Sequence, residues 1–163
     1  MNFPYLIAEM ACSHEGDKEI AKKIVSAAGH AQANAIQFQV WKLSNVDTPS
    51  HPDFEIRSKI EVSHQDWKEI YAFTRKNFPL MDIIACVYEN NSAKFCADLG
   101  VDAFKIHGMD LDNPFLLKNL AKIGKRIDLS IGGSSLDEIT LAIDHLRSAR
   151  SDIEIWLMYG LQS

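Results

Sequence analysis

Short apolar runs that end in a reactive polar residue recur along the whole of this chain. The residues that follow the runs are, in chain order, Glu9, Gln37, Gln39, Lys105, Ser130 and Gln162. Stretches with helical spacing of apolar residues separate the runs. When parallel strands alternate with helices, the carboxyl ends of the strands meet at one rim, where a (β/α) barrel carries its active site. The sequence therefore predicts an α/β fold whose reactive side chains share one rim.

Six strands are predicted from the apolar runs, at 5–10, 35–40, 81–87, 101–106, 127–130 and 153–159. Five helices are predicted between them, at 18–31, 63–76, 92–99, 114–123 and 135–146. The segment 43–60 contains two prolines among polar residues, which favours a long loop with a short helix near 54–59.

Several of these helices carry local start and stop signals. Ser63 and Ser135 are each followed three residues later by an acidic residue, which is the spacing of a capping box. Asn113 precedes a proline at the first helical position. Asn91 is expected to cap the third helix, and Gly100 to end it.

The length of the chain limits how much of a barrel it can form. A complete (β/α)₈ barrel needs about 250 residues, and this chain has 163. We therefore predict an incomplete TIM-type barrel of six βα units, with residues 1–163 as the amino-terminal portion of a longer barrel. Unpaired edges on the first and last strands would favour association into a homo-oligomer.

Composition argues against several classes of partner. The net charge is −5 and no run of Lys or Arg forms a basic stripe, so a nucleic acid is not expected as a partner. No apolar run approaches the length of a membrane span. The three cysteines are odd in number and lack C-x-x-C spacing, which predicts reduced thiols in a cytoplasmic protein without a disulfide or zinc site.

Four motifs follow one another along nearly the whole chain, and the first is Ile-Ala-Glu-Met-Ala-Cys-Ser-His-Glu-Gly-Asp at 7–17. It resembles the opening I-A-E-I-G-x-N-H-x-G-D motif of the sialic acid (N-acetylneuraminate) synthases. Ala-Ile-Gln-Phe-Gln at 35–39, Ala-Phe-Lys-Ile at 103–106 and Leu-Ser-Ile-Gly-Gly at 129–133 resemble later family strands, in the same order. The resemblance extends to relatives that make legionaminic acid and similar nonulosonic acids.

The resemblance implies a transferase reaction in carbohydrate biosynthesis, with residue roles carried over by matching position. The family condenses phosphoenolpyruvate with the open-chain aldehyde of an N-acylmannosamine-type sugar. Lys105 and Ser130 would hold phosphoenolpyruvate, with Gln162 at another of its contacts. Glu9, Gln39 and Asp110 would face the sugar or a bound water. The resemblance thus implies Glu9 and Lys105 as catalytic residues, and the implied substrate-binding residues are Gln37, Gln39, Asp110, Ser130 and Gln162. A divalent metal, Mn or Mg, would polarise the aldehyde, with ligands on later strands and none within this chain.

The sequence also departs from the family pattern at five positions. Gln37 stands where the family has a lysine on the second strand, and Cys86 where it has a threonine after the third. Gly108 replaces a serine, Asp110 a glutamate, and Ser13 an asparagine. The loss of the lysine removes a unit of positive charge from the phosphate pocket, which predicts a different substrate or impaired activity. Residues 1–163 alone are expected to be inactive, because the family's metal ligands lie on later strands.

Two other functions fit the same residues. A diverged, non-catalytic barrel could bind a sugar or a phosphate, and Gln37, Cys86 and Gly108 favour it. A Schiff-base aldolase would need a strand-end lysine, for which Lys105 is the candidate. His14 lacks a partner at metal-ligand spacing and is interpreted as structural. The alternative to an anion-binding role for Lys105 is a position at a sheet edge with its amine in solvent.

Overall fold

The computed structural model describes residues 4–160, and the fold is α/β. The chain divides into two compact units, Met1–Ile84 and Ala85–Ser163, so the division falls inside the third strand. None of the helices in the described range is long and apolar enough to cross a membrane.

Alternating strands and helices make up both units. The first unit contains β1 (Ile7–Glu9), α1 (Lys18–His30), β2 (Ala35–Val40), α2 (Leu43–Val46), α3 (Phe54–Ile60), α4 (His64–Asn77) and the start of β3 (Asp82–Val87). The second contains α5 (Asn90–Leu99), β4 (Ala103–Ile106), a turn of 3₁₀ helix (Gly108–Asp110), α6 (Pro114–Ile123), β5 (Arg126–Ser130), α7 (Leu136–Ala149) and β6 (Glu154–Met158). The six predicted strands are confirmed, and β2 has the predicted ends.

The strands follow one another in the sheet in chain order, from β1 to β6. β1 pairs with β2 in parallel, and Glu9 lies opposite Gln37. β5 pairs in parallel with both β4 and β6, so that Lys105, Asp128 and Trp156 share one row across the three strands. The parallel pairing expected of βα units is therefore observed, and closure into a barrel stays a prediction.

The core of the first unit forms where β2 packs against α4. Phe38 is buried and its ring lies 5.2 Å from that of Trp67, which in turn meets the edge of His14 at 5.7 Å. Residues alternate between the two faces of a strand. Phe38 therefore points toward the helices, and Gln37 and Gln39 toward the opposite face.

The core of the second unit packs two helices against the strands. The buried residues of α6 and α7 are Leu116, Leu117, Leu120, Ala121, Ile139, Ala142 and Leu146. Phe104, Ile127 and Leu129 are also buried. Burial of each large aliphatic or aromatic side chain contributes about 1.5–3 kcal/mol. At the helix α7 end, Arg150 Nη1 donates to the carbonyl of Gly124 at 2.7 Å, which ties two loops at the amino ends of the strands.

Helix ends follow the local signals at most positions. Ser135 and Glu138 form a complete capping box on α7, and Gly100 ends α5 with φ +82°. Asn113 caps α6 as predicted. The prediction that Asn91 caps α5 is wrong, because the carboxylate of Glu89 accepts from the backbone N–H groups of residues 91 and 92 and the helix begins earlier. The short helix α2 was not predicted.

Candidate functional site

In the first unit, Glu9 ends β1 and lies opposite Gln37, which is in the middle of the longer strand β2. Glu9 Oε1 accepts from the backbone N–H of Ala11 at 3.0 Å, within a tight turn where Ala11 has φ +47°. The carboxylate is therefore held at the rim and remains exposed.

Gln37 is a buried polar side chain beside Glu9. It is 2% exposed, and its Nε2 has no hydrogen-bond partner among the described residues. A buried polar group without a partner costs about 1–3 kcal/mol. A donor of this kind is suited to an acceptor oxygen supplied by a ligand or a bound water.

Gln39 contacts a cysteine that sequence reasoning did not place at the site. Cys12 Sγ donates to Gln39 Oε1 at 3.9 Å. Burial raises the pKa of the Cys12 thiol, Arg57 opposes that rise and Glu9 adds to it. The thiol is therefore held in its neutral form, which is a poor nucleophile. Arg57 itself donates from Nη1 to both carboxylate oxygens of Asp47, at 2.9 and 2.8 Å.

In the second unit, Lys105 and Ser130 lie on adjacent parallel strands. Ile106 lies opposite Leu129, so Ser130 is level with residue 107, which follows the end of β4. Ser130 is therefore two rows beyond Lys105, on the same face of the sheet. Lys105 is half-buried in the middle of β4. The loops after β4 and β5 approach each other. If Gly108 carried a Cβ atom, its nearest neighbour would be the carbonyl oxygen of Ser130, at 4.0 Å.

Asp110 and Gln162 are less directly placed. Asp110 ends the 3₁₀ turn, and its Oδ1 accepts from Asn113 Nδ2 at 3.2 Å. Gln162 lies outside the described residues. The roles carried over to both residues stay predictions.

A buried ion pair below Ser130 was missed by the sequence analysis. Arg126 Nε and Nη2 donate to the two carboxylate oxygens of Asp128, at 2.8 and 3.1 Å. Both side chains are buried, and the Arg126 guanidinium lies 3.9 Å from the centre of the Trp156 ring. The signal was present as polar residues at every second position, 126, 128 and 130, which places all three on one face.

A surface cleft of about 250 Å³ lies between the 3₁₀ turn and α7. Its walls are Gly108, Met109, Leu111, Asp112, Ser134, Glu138 and Leu141. Glu138 is an N-terminal carboxylate of α7, and backbone hydrogen bonding from Ser135 lowers its pKa. Two carboxylates beside apolar side chains favour a neutral ligand rich in hydroxyl or amide donors over an anion.

His14 and His107 each accept a hydrogen bond from a backbone N–H two residues later in the chain. His14 is buried, and its Nδ1 accepts from the Gly16 N–H at 3.0 Å. His107 Nδ1 accepts from the Met109 N–H at 3.3 Å and caps the 3₁₀ turn. Within residues 4–160, no three His, Cys, Asp or Glu side chains are grouped so that they could hold a metal ion.

Comparison with known proteins gives consistent matches. The model of the NeuB family matches residues 24–159. An uncharacterized protein of Methanocaldococcus jannaschii is 30% identical over 144 residues, covering 88% of this chain and 42% of its own length. The N,N'-diacetyllegionaminic acid synthase of Campylobacter jejuni is 27% identical over 155 residues, covering 86% of this chain and 46% of its own length.

The fold is similar to that of a solved structure over almost the whole chain. The N-acetylneuraminic acid synthetase of Leptospira borgpetersenii, crystallised with citrate, superposes with a TM-score of 0.89 and 23% identity. The match covers 99% of this chain and 55% of that protein. The chain thus spans about half the length of the proteins it resembles.

Proposed function

Because the chain belongs to the NeuB family, we propose that its protein condenses phosphoenolpyruvate with the open-chain aldehyde of an N-acylmannosamine-type sugar. A carbon–carbon bond forms between the phosphoenolpyruvate methylene carbon and the aldehyde carbon, a water oxygen adds to the enol carbon, and inorganic phosphate leaves. The reaction is that of a sialic or nonulosonic acid synthase, and its substrates are small molecules.

The observation that carries this proposal is the placement of Lys105 and Ser130 on neighbouring parallel strands, two rows apart on one face. An ammonium group next to a hydroxyl and a Gly-rich loop suits a phosphate or carboxylate. Charge-assisted hydrogen bonds of this kind are about twice as strong as neutral ones. In the first unit, Nε2 of Gln37 has no partner among the described residues and is a neutral donor at the lysine position of the family.

The acceptor sugar has a chemically different requirement. It is neutral and presents hydroxyl and amide N–H donors, which carboxylates accept. The cleft that contains Asp112, Ser134 and Glu138 has this character, and it lies along the loops that follow Lys105 and Ser130. Within the first unit, Glu9 and Gln39 carry acceptor oxygens near the carboxyl ends of β1 and β2.

The proposed reaction implies a divalent metal, Mn or Mg, which would act as a Lewis acid on the aldehyde when bound. The described residues contain no group of side chains that fits such an ion. We therefore assign no step through the metal to residues of this chain.

The proposal is tested with the intact natural protein, phosphoenolpyruvate, Mn²⁺ and a panel of N-acylmannosamines. We expect sugar-dependent release of inorganic phosphate together with a new keto acid. Lys105→Ala should weaken phosphoenolpyruvate binding about 10- to 100-fold, because a hydrogen bond to a charged group contributes roughly 1.5–3 kcal/mol. Lys118→Ala, on the exposed side of α6, is the matched control. Absence of phosphate release with every sugar would contradict the proposal.

The departures from the family pattern favour a second candidate, a non-catalytic barrel that binds a sugar or a phosphate. Gln37 in place of a cation is the observation that supports it. This candidate predicts measurable binding of phosphoenolpyruvate without phosphate release in the same assay. A Schiff-base aldolase would instead be trapped on Lys105 by borohydride with a carbonyl substrate.

A further inference from the structure

One face of the β4–β5–β6 sheet carries charged side chains in the middle of the strands. Lys105, Asp128 and Trp156 stand in one row, and Arg126 and Glu154 stand opposite each other two residues earlier. Residues in register on parallel strands project to the same face, as do residues two apart on one strand. We call these five residues the charged face.

Asp128 lies at the centre of the charged face. It is 0% exposed, and both of its carboxylate oxygens accept from the Arg126 guanidinium. That guanidinium stacks on Trp156, whose Nε1 donates to the exposed Glu154 at 2.7 Å. Burial raises the pKa of Asp128, whereas Arg126 and, more weakly, Lys105 lower it and Glu154 raises it. Asp128 therefore lies between two cations, one fixed to it and one across the strand pair.

Stability alone does not account for this arrangement. Buried ion pairs are often no more stabilising than apolar residues of similar volume, because two charges must be removed from water. The other face of the same strands is filled by Phe104, Ile127 and Leu129, which are all buried. An apolar pair at 126 and 128 would thus be the simpler way to fill the sheet.

We propose that Asp128 is a positioning residue for Lys105. Its carboxylate fixes the Lys105 ammonium two rows below Ser130, pointed toward an anionic ligand at the strand ends. Arg126 neutralises the charge of Asp128, so the positive charge of Lys105 remains available to the ligand. This inference rests on the proposed function, because it assigns Lys105 to phosphoenolpyruvate.

The discriminating change is the double substitution Arg126→Met with Asp128→Leu in the intact protein. It removes one positive and one negative charge, so the net charge near Lys105 is unchanged and an altered affinity reports position. We expect the urea unfolding midpoint to stay equal or rise, while calorimetry shows phosphoenolpyruvate binding weakened about tenfold. The KM for the sugar should stay unchanged.

A double-mutant cycle with Lys105→Ala separates positioning from a general distortion of the site. If Asp128 acts through Lys105, the Arg126→Met/Asp128→Leu pair should cause no further loss of phosphoenolpyruvate affinity in the Lys105→Ala background. Unchanged affinity in the pair alone, or losses that add fully, would overturn the inference while leaving the proposed function intact. If Lys105→Ala itself leaves phosphoenolpyruvate binding unchanged, the role of Lys105 in the proposed function fails first.

Asp128→Asn gives a second test should the double variant fold poorly. Asn keeps the size of the side chain and one acceptor for Arg126, but removes the negative charge beside Lys105. Simple charge repulsion predicts tighter anion binding in this variant, whereas loss of positioning predicts weaker binding. Tighter binding of phosphoenolpyruvate by Asp128→Asn would therefore contradict the inference.

Discussion

Glu9 and Gln37 lie directly opposite each other on the paired strands β1 and β2, and the side-chain nitrogen of Gln37 is buried without a hydrogen-bond partner in the described structure. An exposed carboxylate thus lies beside a buried amide in a region proposed to bind an anion. A substitution at position 37 is therefore the most direct test of how charge at this position affects anion binding.

Gln37→Lys should tighten phosphoenolpyruvate binding by roughly tenfold. A charged donor contributes about 1.5–3 kcal/mol and a neutral one about 0.5–1.5, and 1.4 kcal/mol corresponds to one decade of affinity. Calorimetric titration of the intact protein measures the change. Gln65→Lys, which adds the same charge on the exposed side of α4, is the control. Tight binding by the wild type with no change in the mutant would show that the family assignment of strand β2 is wrong.

Ser135→Ala should destabilise the protein by about 0.5–2 kcal/mol, because it removes the N-cap of α7. Ser135 Oγ accepts from the Glu138 N–H at 3.3 Å, and its own N–H donates to Glu138 at 2.7 Å. Urea unfolding followed by circular dichroism gives the free energy. Ser148→Ala, in the last turn of the same helix, should change it by less than about 0.5 kcal/mol. Equal effects of the two substitutions would argue against the cap.

His14 should make stability fall in mildly acidic solution. Burial lowers the pKa of His14 from its usual 6.5, so the unfolded chain takes up a proton at a higher pH than the folded one. The contribution of His14 is therefore complete above about pH 6.5 and is lost as the pH falls through the folded value. Protonation would also remove the acceptor that Nδ1 offers to Gly16.

The measurement for His14 is the free energy of unfolding between pH 7.5 and pH 5. His14→Asn keeps an acceptor atom near the position of Nδ1 but cannot titrate, so its stability should depend less on pH. His145→Gln on α7 serves as the control. A wild-type slope that survives in His14→Asn would mean that other groups cause it.

Gly132→Ala should be poorly tolerated. A Cβ at this position would lie 1.7 Å from the carbonyl oxygen of Gly160, so the backbone after β5 or after β6 must shift. Forced shifts of this kind typically cost about 1–3 kcal/mol. Gly108→Ala is the matched comparison, because its nearest neighbour would be 4.0 Å away. Thermal unfolding of the two variants should differ clearly, and similar melting temperatures would refute the close approach.

Local signals made much of the fold predictable. The strand limits at 35–40 follow from a short apolar run, and Asn113-Pro114 and Ser135-x-x-Glu138 set helix starts through contacts that span only three residues. The cap of α5 was missed because Glu89 and Asn91 are both plausible acceptors, and the backbone path after β3 decides between them.

The sequence predicted which polar residues follow the strands, but not which side chains they contact. The positions of Lys105 and Ser130 follow from strand register. The hydrogen bond between Cys12 and Gln39 joins residues that are 27 apart in the chain, and no local sequence pattern predicts it. Asp128 was overlooked because the apolar residues on either side of it dominated the interpretation of β5 as a buried strand.

The hydrogen bond from Arg150 to the Gly124 carbonyl has a consequence for engineering. It secures the amino-end loops of the second unit, which is where a barrel keeps its stability, while chemistry belongs to the opposite ends of the strands. Gly108 has room for a side chain at one of those opposite ends. Libraries that diversify position 108 after β4 can therefore vary this strand-end loop with little risk of unfolding the protein, provided that Gly132 after β5 is kept.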